Sequence, residues 1–194
     1  AGPLAIPQYG GGILYFTSAG VSVYFPTAVT AAAASSALTF IAGGSISDTT
    51  SIDSCFSATY LNYKVVFSNL TSGDGSNLNL RMRTSGTDNT SSVYSSIVSG
   101  SAVGGAYTNG LASQNGSTFA LTYGNSAANG QTIAFDMFSP FEAKNTQYGI
   151  GNAVNGQDAF FWFIAGIHKS TTSFDGFTIY PATSTLTGTY KIYG

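Results

Sequence analysis

His168 is the only histidine of the chain, and eight acidic residues stand scattered along it rather than clustered. These are the side chains that could carry acid–base or metal chemistry. A serine hydrolase would need His168 as its base, yet no serine sits in a Gly-x-Ser-x-Gly elbow. A glycosidase would need two facing carboxylates. Asp136, in IAFDMF, and Glu142, beyond a turn centred on Pro140, come nearest to such a pair. A metal ion would need more His, Cys or clustered carboxylates than the chain supplies. Asp74 in SGDGSN and Asp88 in SGTDNT read as turn formers, because Asp bonds to nearby backbone. GDGSN begins like a calcium loop but lacks the later ligands. Cys55 is the only thiol, which excludes an intrachain disulfide and suggests a buried, inert side chain. The expectation is no catalytic residue, no metal and no cofactor, with His168 at the end of a strand.

The elements that would position these residues are almost all β. LNLRMRT (78–84) alternates strictly, with Leu78, Leu80 and Met82 on one face and Asn79, Arg81 and Arg83 on the other. YKVVFSNL, SVYSSIVSG, TFALTY, QTIAFDMF, QYGIGNAV, AFFWFIAGIH, GFTIY and TGTYKIYG continue the series. Gly- and Asn-rich stretches such as GSAVGGAYTNG, GNSAANG and GNAVNGQD read as loops between them, and AYTNGLASQNGS as the best exposed recognition loop. The last two strands, with a turn between them, read as a hairpin. Short strands at regular spacing predict an all-β fold, an antiparallel β-sandwich of jelly-roll-like type with an extended N-terminal arm. The division is expected at 1–44, an arm and hairpin for anchoring or assembly, and 45–194, the sandwich. ILYFTS and VSVYFP predict the hairpin, ALTFIAG a strand, and the four alanines before it a helical turn. In the arm, Leu4, Ile6, Tyr9, Ile13, Tyr15 and Phe16 need a cover and are the candidate anchor to a larger assembly.

Charged residues are 7% of the 194, against about 25% in an average soluble protein. A surface of hydroxyls and amides loses little charge solvation when copies pack together. Net charge is −2 and the six Lys and Arg are spread out, so no basic stripe exists for nucleic acid. No run of about 18 apolar residues predicts a membrane span. Phe160, Phe161, Trp162, Phe163 and Ile164 form a run that is apolar on both faces of a strand. With no helices to cover a second face, it is the candidate contact between subunits.

Two stretches carry a resemblance. SIDSCFSATYLNYKVVFSNLTSGDGSNLNLRMRTSGTDNTSSVYSS resembles the opening of a small β-sandwich domain of tailed-bacteriophage structural proteins. Its pattern is a Cys-Phe pair (Cys55, Phe56), a Tyr-x-x-Tyr turn (Tyr60 to Tyr63), a strand ending in Ser-Asn (Lys64 to Asn69) and alternating Leu and Arg (from Leu78). FDGFTIYPATSTLTGTYKIYG is similar to that domain's closing hairpin, with Phe177, Ile179, Leu186, Tyr190 and Ile192 at the packed positions. The resemblance covers Ser45 to Gly194, and its motifs carry structure rather than catalysis. It implies a non-enzymatic virion component: a tail fibre, head fibre or capsid decoration protein, usually a homotrimer in contact with other capsid or tail proteins. The alternative is a receptor-binding module that takes a host surface glycan. Aromatics at 14% of the chain can stack on sugar rings, and Tyr, Asn and Ser can bond hydroxyls.

Overall fold

The computed structural model of the chain describes residues 11–17, 21–27, 38–102, 107–122, 130–155 and 160–194. It contains two compact units, 1–37 and Leu38–Gly194. In the first unit β1 (Gly11–Thr17) pairs antiparallel with β2 (Val21–Thr27), Ile13 opposite Phe25 and Tyr15 opposite Val23, which is the predicted hairpin. Ile13, Tyr15 and Phe16 of the candidate anchor lie on β1. Leu4, Ile6, Tyr9 and the run of alanines lie outside the described residues. The expected division at 44/45 falls inside β3 (Phe40–Ser47), which pairs with the last strand of the chain, so the second unit begins earlier.

That unit is all-β, with two antiparallel sheets. Its further strands are β4 (Thr50–Ile52), β5 (Asn62–Ser72), β6 (Leu78–Thr84), β7 (Thr87–Asp88), β8 (Tyr94–Ala102), β9 (Tyr107–Gly116), β10 (Phe119–Ala120), β11 (Gln131–Phe138), β12 (Gln147–Asn155), β13 (Phe160–His168), β14 (Gly176–Pro181) and β15 (Leu186–Tyr193). The larger sheet runs β3-β15-β5-β11-β12-β13-β8-β9; the smaller runs β10-β6-β14-β4, with β7 also on β6.

Alternation decides what is buried. Tyr63, Val65 and Phe67 of β5 and Ile133, Phe135 and Met137 of β11 point inward from the large sheet. Leu78, Leu80 and Met82 of β6 meet them from the small sheet, as their spacing predicts. Phe177 of β14 joins the layers, its ring 6.1 Å from Phe67 and 5.8 Å from Phe56. Cys55 is buried in this core.

Three expectations change. The last two strands are not a hairpin: β14 pairs with β6 and β4, whereas β15 lies between β3 and β5 in the other sheet. The intervening residues cross from one layer to the other, so each strand buries its apolar face from an opposite side. Phe177, Ile179, Leu186 and Ile192 are fully buried, and Tyr190 is half-buried. The stretch GSAVGGAYTNG is not simply a loop, since Tyr107 opens β9, which is held by β8 despite its poor strand formers. Asp88 does not form a turn. The β6–β7 turn is made by Ser85 (φ 49) and Gly86 (φ 78), the two positive φ values of a tight hairpin, and Asp88 lies in β7.

Candidate functional site: the outer face of the extended sheet

β13 is the axis of the candidate site. It is flanked by β12 and β8, and β9 closes the sheet edge beyond. Residues paired across antiparallel strands share a face. Phe163 therefore lies beside Ser99, Ala165 beside Ile97, and Ile167 beside Ser95 and Gln147. Ile97 in turn lies beside Ala112 of β9. This face points away from the core. Phe161 is 50% exposed, Phe163 64% and Ile97 49%.

The five-residue run proposed as a contact is thus divided. Trp162 and Ile164 are buried in the protein's own core and are not available to another subunit. Phe161 and Phe163 face outward, and Phe160 is placed by its backbone at the start of β13.

At the other end of the same face is a groove of about 700 Å³. Ile97, Ala112, Ala165 and Ile167 contribute its apolar lining, and Gln114 and Gln147 its amides. Phe138, at the end of β11, lines it too. Gly149 leaves one flank of that ring bare, since a β-carbon built there would touch only Phe138 Cε2, at 3.7 Å. A second depression of about 510 Å³ shares Phe138 and Gln147 and adds Lys144, Asn145 and Thr171. Ala112 and Gln114 come from the stretch expected to be a recognition loop, which instead forms the edge strand. The remaining lining comes from four strands, β8, β11, β12 and β13, brought together by register. The only local sign of it is the alternation in SSIVSG and QTIAFDMF that sets Ile97 and Phe138 facing out.

Among the described residues, the His, Cys, Asp and Glu side chains singled out in the sequence lie outside this groove. His168 ends β13 and is fully buried, its Nδ1 accepting from the Ser170 N–H at 3.3 Å. The rings of Tyr94 and Phe174 stand edge-on to it at 4.5 and 4.7 Å. Burial lowers its pKa below the ordinary 6.5, which favours the neutral imidazole. Asp136 pairs with Lys64 at 2.8 Å, and Glu142 with Lys144 at 2.9 Å. Asp74 accepts from Thr183 Oγ1 at 2.8 Å and from the Ser76 N–H at 3.0 Å, bonds that hold its carboxyl below the usual range. Asp48 accepts from the Leu186 N–H at 3.1 Å, and Asp175 from the Ser85 N–H at 3.0 Å. Asp158 lies outside the described residues. Burial pushes the Cys55 thiol up to about 12, which favours the neutral thiol over the thiolate. Among the described residues, no three His, Cys, Asp or Glu side chains gather as a metal ion would need.

Sequence reasoning missed one polar cluster. Arg83 donates through Nε to Asp53 at 2.7 Å and through Nη1 to Asp88 at 2.5 Å and Thr178 Oγ1 at 3.0 Å. Its Nη2 reaches the Gly86 carbonyl. Alternation placed Arg83 on the polar face of β6, but its partners come from β7, β14 and the end of β4, which no local pattern reveals. Its work is to tie strands together.

Compared with models of protein families, with curated proteins and with solved structures, the chain matches none.

Proposed function

We propose that the chain is a non-enzymatic structural protein of a tailed-bacteriophage particle, a fibre or capsid-decoration component displayed on the virion surface as a homotrimer. The observation that carries the assembly reading is the pair Phe161 and Phe163, outward-facing on an inner strand of the larger sheet. Water-exposed phenylalanines on one face favour a cover. A second copy suits them, because a chain with 7% charged residues and net charge −2 repels itself little. The contacts to capsid or tail proteins fall in this reading to the N-terminal unit, with its apolar Leu4, Ile6 and Tyr9.

The finer fold reading is a jelly roll. β3, β15, β5 and β11 are neighbours in one sheet, and β4, β14, β6 and β10 are neighbours in the other. Within the pairs β3–β4, β5–β6, β10–β11 and β14–β15, consecutive strands alternate between sheets. That order supports two interlocked Greek keys, an architecture used by viral capsid proteins and lectins. β8, β9, β12 and β13 extend one of its sheets. The virion reading itself is supported by the resemblance of Ser45 to Gly194 to phage structural domains.

Native mass measurement of the purified chain, with localisation of the chain in intact particles by cryo-electron microscopy, tests the reading. The expected outcome is a trimer on the particle surface. A monomer at tens of micromolar overturns the assembly reading, and absence from the particle overturns the virion reading.

A further inference from the structure

We propose that the groove across β9, β8, β13 and β12 is a binding site for an uncharged oligosaccharide. The inference goes beyond the assembly reading and does not rest on it, since Phe161 and Phe163 do not line the groove.

The lining has the chemistry of a sugar site. A pyranose ring presents apolar C–H faces and a rim of hydroxyls. The groove offers the complement: Phe138, Ile97 and Ile167 for the apolar face, and the exposed amides of Gln114 and Gln147 for the rim. An amide both donates and accepts, so each glutamine can bond a hydroxyl in either sense. A protein occupant would have to match the two amides one by one, whereas a saccharide brings a hydroxyl at almost every carbon.

Size and charge narrow the class. A volume of about 700 Å³ suits a small-molecule site, and the second depression, of about 510 Å³, continues it past Phe138 and Gln147. Two adjoining depressions that share Phe138 and Gln147 favour several linked rings over a single sugar. Among the described residues, no ionised side chain lines the main groove. In the extension Lys144 is the only one, and Glu142 already pairs with it at 2.9 Å. Sialic or uronic acids would find no unmatched cation among the lining residues, so the preferred ligand is neutral.

Gly149 supplies the decisive variant. A β-carbon there meets no backbone and only Phe138 Cε2, at 3.7 Å, so Gly149→Leu directs a side chain into the space beside that ring. The intact chain is titrated with neutral glucose-, galactose- and mannose-based oligosaccharides, and with sialylated and uronate oligosaccharides, by saturation-transfer NMR and calorimetry. At least one neutral series is expected to bind in the micromolar to millimolar range. Gly149→Leu should abolish that binding, and Gln147→Ala, at an exposed position, should weaken it about tenfold, the loss of one good hydrogen bond. Thermal midpoints of both variants should stay at the wild-type value. Phe163→Ser should retain binding even if it dissociates the oligomer, which separates failure of the site from failure of the assembly reading. The proposal is overturned if no neutral oligosaccharide binds at millimolar concentration, if only acidic ones bind, or if folded Gly149→Leu and Gln147→Ala both bind like wild type.

Discussion

Trp162 and Phe163 are neighbours in β13 and face opposite ways: Trp162 is 4% exposed and packed in the core, Phe163 64% exposed on the outer face. The same strand therefore supports folding with one residue and offers contact with the next. The consequences of substitution should divide accordingly. Phe161→Ser with Phe163→Ser should dissociate the proposed homotrimer while changing monomer stability by no more than about 0.5 kcal/mol, as for exposed positions generally. Trp162→Ala should cost about 3–5 kcal/mol through the cavity it leaves. Sedimentation velocity reads the first effect and urea denaturation the second. A double serine variant that sediments like wild type would remove this face from the assembly.

His168 should make stability depend on pH near neutrality. Burial lowers its folded-state pKa below the ordinary 6.5, and the aromatic rings of Tyr94, Phe119 and Phe174 surround it. As pH falls through 6.5, the unfolded chain takes up a proton that the folded chain still refuses. The unfolded state then binds more protons, so stability falls with pH, until the folded-state pKa is passed and the loss levels off. The thermal midpoint should drop between pH 7 and about pH 5.5, above the ordinary carboxylate range. His168→Phe should flatten that drop. An equal drop in both proteins would place its cause elsewhere.

The alternation of β6 and β11 was legible because period-two burial is local: each strand's sequence already separates Leu80 from Arg81 and Phe135 from Asp136. The placement of β14 and β15 was not. Their closeness in sequence suggests a hairpin, but Phe177 finds Met82 and Ile192 finds Val65, partners far away in the chain and in different sheets. Nothing within either strand encodes that choice. β9 was hidden for another reason. Its Gly and Asn residues favour turns, and pairing of Ala112 with Ile97 and Ser113 with Ser96 overrides that preference. The groove inherits both difficulties, because Gln114, Gln147 and Phe138 meet only after the strands are in register.

Arg83 should prove to be the main polar tie of the smaller sheet. It is 9% exposed, and Thr178 Oγ1, which accepts one of its bonds, donates to Asp88 at 2.6 Å. Arg83→Ala leaves Thr178 buried and Asp88 without its cation, and should cost about 1.5–3 kcal/mol, the range for hydrogen bonds to charged groups. Arg83→Lys should recover only part of that, since an ammonium cannot serve Asp53, Asp88 and the Gly86 carbonyl with the geometry of the guanidinium fork. Thr178→Val should cost about 1 kcal/mol. Urea midpoints at constant slope check all three. A neutral Arg83→Ala would mean that water replaces the network.

Asp136 and Glu142 are the carboxylates nearest to a hydrolytic pair in the sequence, and each has a lysine of its own. Asp136, on the outer face of β11, holds Lys64 across the register with β5. Glu142 lies in the turn after β11, where its N–H bonds the Ser139 carbonyl at 3.3 Å, and holds Lys144. Each carboxylate is thus engaged by a cation of its own rather than facing the other across a shared site. Both pairs are exposed, so Asp136→Asn and Glu142→Gln should each change stability by no more than about 1 kcal/mol. With host surface polysaccharide as substrate, wild type and both variants should release no new reducing ends, even if the neighbouring groove binds sugar. Binding without cleavage in all three proteins is the expected pattern. Fragment release by wild type that disappears in both variants would make this turn an active site and replace the structural reading with a depolymerase.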